Sequence, residues 1–166
     1  MRPSSLLSSL DITLPPPPTP KANYGMYSRV GSVLHVSGHL PLSPTGELIT
    51  GLCGEGGATV EDGYEAARFC GLNLLATLEE EFGLDAIERV VKLFGIVRST
   101  EGFEEQHLVM NGASDLMIEV FGDKYGYHAR SAIGTRDLPL GIMVEVEGTF
   151  KLKEEYLTEL SSLREV

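Results

Sequence analysis

The chain is expected to fold as a single α+β domain, with one mixed β-sheet and two helices packed on one of its faces. Three observations predict this class. Short β-like runs fill residues 24–50, two longer segments carry apolar residues at helical spacing, and a nearly unbroken apolar run lies between those two segments. The element order is therefore several strands, helix, strand, helix and two strands. A length of 166 residues suits one domain with a substantial core.

The first twenty residues are Ser-rich and then contain Pro15 to Pro18 and Pro20. Consecutive prolines favour polyproline II and remove backbone donors, so residues 1–20 are expected to be an arm outside the fold. From 24 to 50 the runs MYSRV, VLHVSG and ELIT, separated by Gly31-Ser32 and Ser43-Pro44-Thr45-Gly46, predict a meander of antiparallel strands. The glycine-rich stretch 51–57 precedes a helix, but it has no GKS or GKT, does not fit GxGxxG, and carries Glu55. It is therefore expected to be a flexible connection and not a phosphate loop.

Thr59 and Asp62 are spaced as a capping box, and Tyr64, Ala67, Gly71, Leu74, Leu75, Leu78 and Phe82 recur at helical spacing up to Gly83. Val90 to Val97 has the pattern of a buried central strand. A second helix is expected from about Glu104, burying Val109, Ala113, Leu116, Met117 and Val120 and closing at Gly122. The domain proper is expected to span 21–152, followed by a helical tail over 153–166.

Composition excludes several function classes. The formal charge is −11 and no cluster of Lys and Arg exists, which argues against nucleic acid and other polyanions. No apolar run is long enough to span a bilayer, and the serines among the first ten residues do not suit a secretory signal. Cys53 and Cys70 lack CxxC spacing, so free thiols in a reducing, cytoplasmic compartment are expected. His35 and His39 are four apart in strand-like sequence, roughly 13 Å, too far for joint metal ligation. His107 falls at an exposed helical start, and His128 is given a surface or hydrogen-bonding role in preference to catalysis.

The most informative stretch is Tyr127 to Lys151, YHARSAIGTRDLPLGIMVEVEGTFK, which sets charge inside apolar, strand-like sequence. With a period of two, Arg130, Ala132 and Gly134 share a face, as do Glu145 and Glu147, with Val144, Val146 and Phe150 on the other side of their strand. Arginine between small residues can offer its planar fork to a small carboxylate. An internal Arg130–Glu145 ion pair is an equal alternative at this level.

Together with Ala22-Asn23-Tyr24, VLHVSGHLPLSPTGEL, GYEAARFCGLNLLATLEEEFGLDAIERVVKL and the region of Asn111, this stretch resembles the RidA family, the YjgF-type reactive-intermediate deaminases long called L-PSP endoribonucleases. The resemblance implies a chorismate-mutase-like fold that assembles as a homotrimer, with ligand clefts between neighbouring subunits. It implies hydrolysis of 2-imino acids, formed from enamines, to 2-keto acids and ammonia. Arg130 takes the place of the carboxylate-binding arginine and Glu145 that of the water-orienting glutamate. Tyr24, reaching from the neighbouring subunit, Ser37, Gly38, Asn111 and Ala132 fall at cleft-lining positions. No metal or organic cofactor is expected. Ala132 stands where many deaminating members have cysteine, and His128 where proline is common. A non-catalytic trimer that binds a small carboxylate is the second hypothesis, and an endoribonuclease the third.

Overall fold

The computed structural model describes residues 2–157. Its centre is one mixed sheet in the order β1-β2-β5-β3-β4. The strands are β1 (Tyr27–Val30), β2 (Val33–His39), β3 (Ile87–Arg98), β4 (Ala129–Thr135) and β5 (Val144–Leu152). Only β3 and β4 run parallel. A parallel neighbour needs a crossover, here supplied by α3 (Gln106–Val109), α4 (Asn111–Phe121) and α5 (Asp123–Gly126). α2 (Val60–Phe82) joins β2 to β3 and packs against α4.

Alternation along the strands separates the two faces of the sheet. On β5, Val144, Val146, Phe150 and Leu152 are buried beneath the helices, while Glu145 and Glu147 point the other way. The register carries that division across the sheet: Leu93 lies opposite Arg130 and Gly95 opposite Ala132, whereas Ile96 lies opposite Glu145 and Ile133. Arg130 and Ala132 therefore face the helices, and Glu145 faces away.

The long helix begins as its sequence predicts. Thr59 Oγ1 accepts from the Asp62 N–H at 3.1 Å, and an Asp62 carboxylate oxygen accepts from the Thr59 N–H at 2.9 Å. It stops at Gly83, whose φ of 73° is left-handed. α4 can approach α2 closely because Gly112 has no Cβ; a methyl there would overlap the Tyr64 carbonyl oxygen.

Several expectations need correction. Residues 1–20 are not wholly an arm: Pro3–Ser9 form a helix, α1, that buries Leu7. Ser4 anchors it by donating through its N–H and hydroxyl to the Asp85 carboxylate, at 3.0 and 2.8 Å. Lys153 Nζ reaches the Asp85 carbonyl from the other end of the chain. A polar anchor, the buried Pro3 and Leu7, and Ile12 and Leu14 packed against the core dock a segment whose composition looks unstructured. ELIT forms only isolated bridges, Leu42 to Leu48 and Thr50 to Ile142, so the meander reduces to the β1–β2 hairpin. The connection at 51–57 is tied down: the Cys53 N–H donates to the Arg98 carbonyl, and the Cys53 carbonyl accepts from Thr100. The second helix divides at Met110 into α3 and α4. Residues 154–157 are helical, and the rest of the expected tail lies outside the described residues.

Candidate functional site

The predicted residues fall into two groups on opposite faces of the sheet. The first is built on β2 and β5. The β2–β5 register shifts between Val36 and His39, and this bulge brings Ser37 and Gly38 alongside Glu145. A Cβ on Gly38 would overlap Oε1 of Glu145, so the carboxylate lies directly over the glycine. Tyr24, Ser37, Gly38 and Glu145 share a cavity of about 450 Å³ with Lys21, Ala22, Leu40, Pro139 and Leu140. Ser37 Oγ donates to the Gly25 carbonyl at 2.8 Å, which ties the Tyr24 segment to the cavity wall and leaves the hydroxyl oxygen as an acceptor.

His39 fixes the bulge from behind. It is 1% exposed, and its Nδ1 lies 2.7 Å from the Ser37 carbonyl while Nε2 lies 2.8 Å from Thr77 Oγ1 on α2. Because a carbonyl can only accept, Nδ1 carries the hydrogen. Burial pushes this histidine from 6.5 down to about 4, so the ring is neutral at pH 7. Glu145 is shifted the other way: burial, and then the neighbouring Glu147, raise its carboxyl above the usual glutamate value. No described residue pairs with it.

The second group sits between β4 and the crossover helices. Arg130 Nη1 donates to Asn111 Oδ1 at 3.0 Å and Ser114 Oγ at 2.9 Å, and Nη2 donates to the His107 carbonyl at 2.8 Å. All three acceptors are uncharged, and no described carboxylate lies within ion-pair distance of Arg130. The internal Arg130–Glu145 ion pair is thereby excluded: the two side chains leave the sheet on opposite sides. Of five guanidinium N–H bonds, three are engaged; one on Nε and one on Nη2 remain, as many as a bidentate carboxylate takes. Ala132 lies on the same face, packed against the core.

Ser114 and the His107 carbonyl were not singled out from sequence. Ser114 follows Asn111 by three on one helix and so shares its face, a signal that spacing could have supplied. The His107 carbonyl carries no residue-type signal at all. A larger opening of about 630 Å³ at the start of α2 is lined by Glu55, Glu101, Glu104 and Glu105 and by no Lys or Arg, which disfavours a phosphate there. Among the described residues no helix is long and apolar enough to cross a membrane.

Comparison with known proteins bears on the family and the fold. Protein TCP17 of Trypanosoma cruzi is 44% identical over 147 residues, covering 88% of this chain and 91% of that protein. The crystal structure of Atu1372, a protein of unknown function from Agrobacterium tumefaciens, is 38% identical with a TM-score of 0.81, over 91% of this chain and 92% of the other. A structure from Shewanella oneidensis MR-1 described as "a putative endoribonuclease" is 33% identical with a TM-score of 0.86, over 92% and 100% of the two chains. Residues 4–148 match the model described as "YjgF/chorismate_mutase-like, putative endoribonuclease", a span that takes in most of α1, both site groups and the first half of β5, and the chain therefore belongs to the YjgF/chorismate mutase-like family.

Proposed function

We propose that this protein hydrolyses reactive 2-imino acids and their enamine tautomers to 2-keto acids and ammonia, in clefts where the Arg130 group of one subunit meets the Glu145 cavity of the next. The observation that carries the reading is the half-buried Arg130, oriented by three neutral acceptors and lacking a carboxylate partner among the described residues. A guanidinium so placed is arranged for an incoming anion.

In the reaction Arg130 holds the substrate carboxylate, which sets C2 in register. Water adds to C2 of the imine while Glu145 takes one of its protons and passes it to nitrogen, giving a carbinolamine; the hydroxyl proton then moves to nitrogen by the same carboxylate, the C–N bond breaks, nitrogen leaves as ammonia, and the C2 oxygen becomes the keto group. A glutamate with a raised pKa suits the proton transfer better than an ordinary surface carboxylate. Positioning and one base suffice for so reactive a substrate.

A homotrimer follows from the same reading. Arg130 and Glu145 cannot meet within one chain, and the face that bears Glu145 also bears Val30, 69% exposed, and Ile133, 48% exposed. Cyclic packing of three copies would cover this face and produce three equivalent clefts. The endoribonuclease activity named for some relatives suits this chain poorly, since a formal charge of −11 repels RNA.

The test generates imino acids in situ from several amino acids with an oxidase and traps the residual imine with semicarbazide. The protein should reduce the trapped product, and Arg130→Ala should abolish that effect with its melting curve intact. No effect on any imine, together with retained binding of 2-oxobutanoate, would favour the non-catalytic carboxylate-binding trimer.

A further inference from the structure

Arg130 is held by a chain of hydrogen bonds whose directions are fixed from both ends. At one end Arg130 Nη1 can only donate, and it lies 2.9 Å from Ser114 Oγ. At the other end the Gly126 carbonyl can only accept, and it lies 2.6 Å from His128 Nδ1. The hydrogen on that ring therefore sits on Nδ1, and Nε2 is a bare acceptor. Nε2 is 3.1 Å from Ser114 Oγ, so the serine hydroxyl donates to the histidine and turns a lone pair to the arginine. Ser114 is 8% exposed, which leaves its hydroxyl few alternatives in solvent.

We propose that His128 is a positioning residue for Arg130: by taking the Ser114 hydroxyl proton it keeps a serine lone pair aimed at Nη1, and with it the orientation of the carboxylate-binding fork. This inference rests on Arg130 as the carboxylate site. Without an acceptor at Nε2, the serine hydroxyl is free to turn toward a backbone carbonyl of its own helix, as serines in helices do. Nη1 then keeps only Asn111.

The surroundings hold the ring in the state the relay needs. Burial, with Arg130 acting from two residues along the chain, moves His128 below its ordinary value, so it is neutral at pH 7. α5 offers the Gly126 carbonyl, while α4 offers Ser114 and also Asp115, which acts on Arg130. No described carboxylate bonds to the imidazole.

The test measures 2-oxobutanoate binding by calorimetry on the full chain, with circular dichroism and melting curves as fold controls. His128→Asn can keep the Gly126 contact but has no acceptor at the Nε2 position; His128→Gln can place its amide oxygen there. Losing one such hydrogen bond should weaken binding about fivefold in His128→Asn and in Ser114→Ala, while His128→Gln stays within about twofold of wild type. The double variant should bind no more weakly than Ser114→Ala, because both changes cut one chain. Additive losses, an unchanged His128→Asn, or a His128→Gln as weak as His128→Asn would overturn the relay. Nitrogen NMR of the imidazole gives a readout independent of ligand: a proton found on Nε2 refutes the relay outright. If the NMR agrees and Arg130→Ala still binds 2-oxobutanoate, the carboxylate-site reading has failed instead.

Discussion

Lowering the pH from 7.5 to 5 should destabilise this protein through His39, and the size of the effect follows from its burial. The ring stays neutral in the folded chain down to about 4, whereas in the unfolded chain it takes up a proton near 6.5. Stability from the neutral ring is fully present above 6.5 and is lost as pH falls from 6.5 toward 4. At ~1.4 kcal/mol per pH unit the whole interval is worth ~3 kcal/mol, of which ~2 kcal/mol is gone by pH 5. Urea denaturation at fixed protein concentration measures it. With a slope of ~2 kcal/mol per molar, the wild-type midpoint should fall by about 1 M more between pH 7.5 and 5 than that of His39→Gln, which has no titrating ring. Protection factors at Ser37 and Gly38, taken relative to the intrinsic exchange rate at each pH, should fall with the same pH profile, since His39 holds the bulge that carries them. Equal pH dependence in the two proteins would refute the argument and leave acid sensitivity to other groups.

Three further predictions concern the site. Gly38→Ala should fold normally but lose imine hydrolysis, because the atoms nearest to the new methyl all belong to the Glu145 side chain, which must give way; crystallography should find that carboxylate displaced. Glu145→Gln should be inactive yet more stable than wild type at pH 7 in thermal melts. The raised carboxyl makes ionisation costly to the fold as pH climbs through its folded pKa, so the gap should close below 4.5. Mixing Arg130→Ala chains with Glu145→Gln chains should restore part of the activity, since some clefts then pair an intact arginine with an intact glutamate. No recovery after demonstrated subunit exchange, or a monomer by light scattering, would defeat the shared cleft.

What the sequence made legible was whatever depends on local periodicity. The two-residue alternation put Arg130 with Ala132 and Glu145 with Glu147, and the capping pair at Thr59 and Asp62 marked the start of α2. What it could not resolve was how two correctly assigned strand faces relate to each other. That depends on the register of β3 between β4 and β5, a non-local property, and it is this register that sets Arg130 and Glu145 on opposite sides. The docked α1 was missed for a similar reason. Its anchor, Asp85, is 81 residues away in the chain, and nothing in the Ser-rich segment signals a partner at that distance. The kinship of Ser114 and His128 with Arg130 lay within reach of spacing, but the directions of their hydrogen bonds did not.

The turn at Leu84–Ala86 has a kinetic consequence. Asp85 receives Ser4 from 81 residues upstream and Lys153 from 68 residues downstream, so both contacts close very long loops. Closure of such loops repays its entropy only after the sheet between them exists, and β5, the last strand in the chain, must be in place before Lys153 can arrive. Interactions formed that late are absent from the folding transition state. They therefore act as a latch, slowing the rate at which the native chain opens while leaving the rate at which it forms almost untouched.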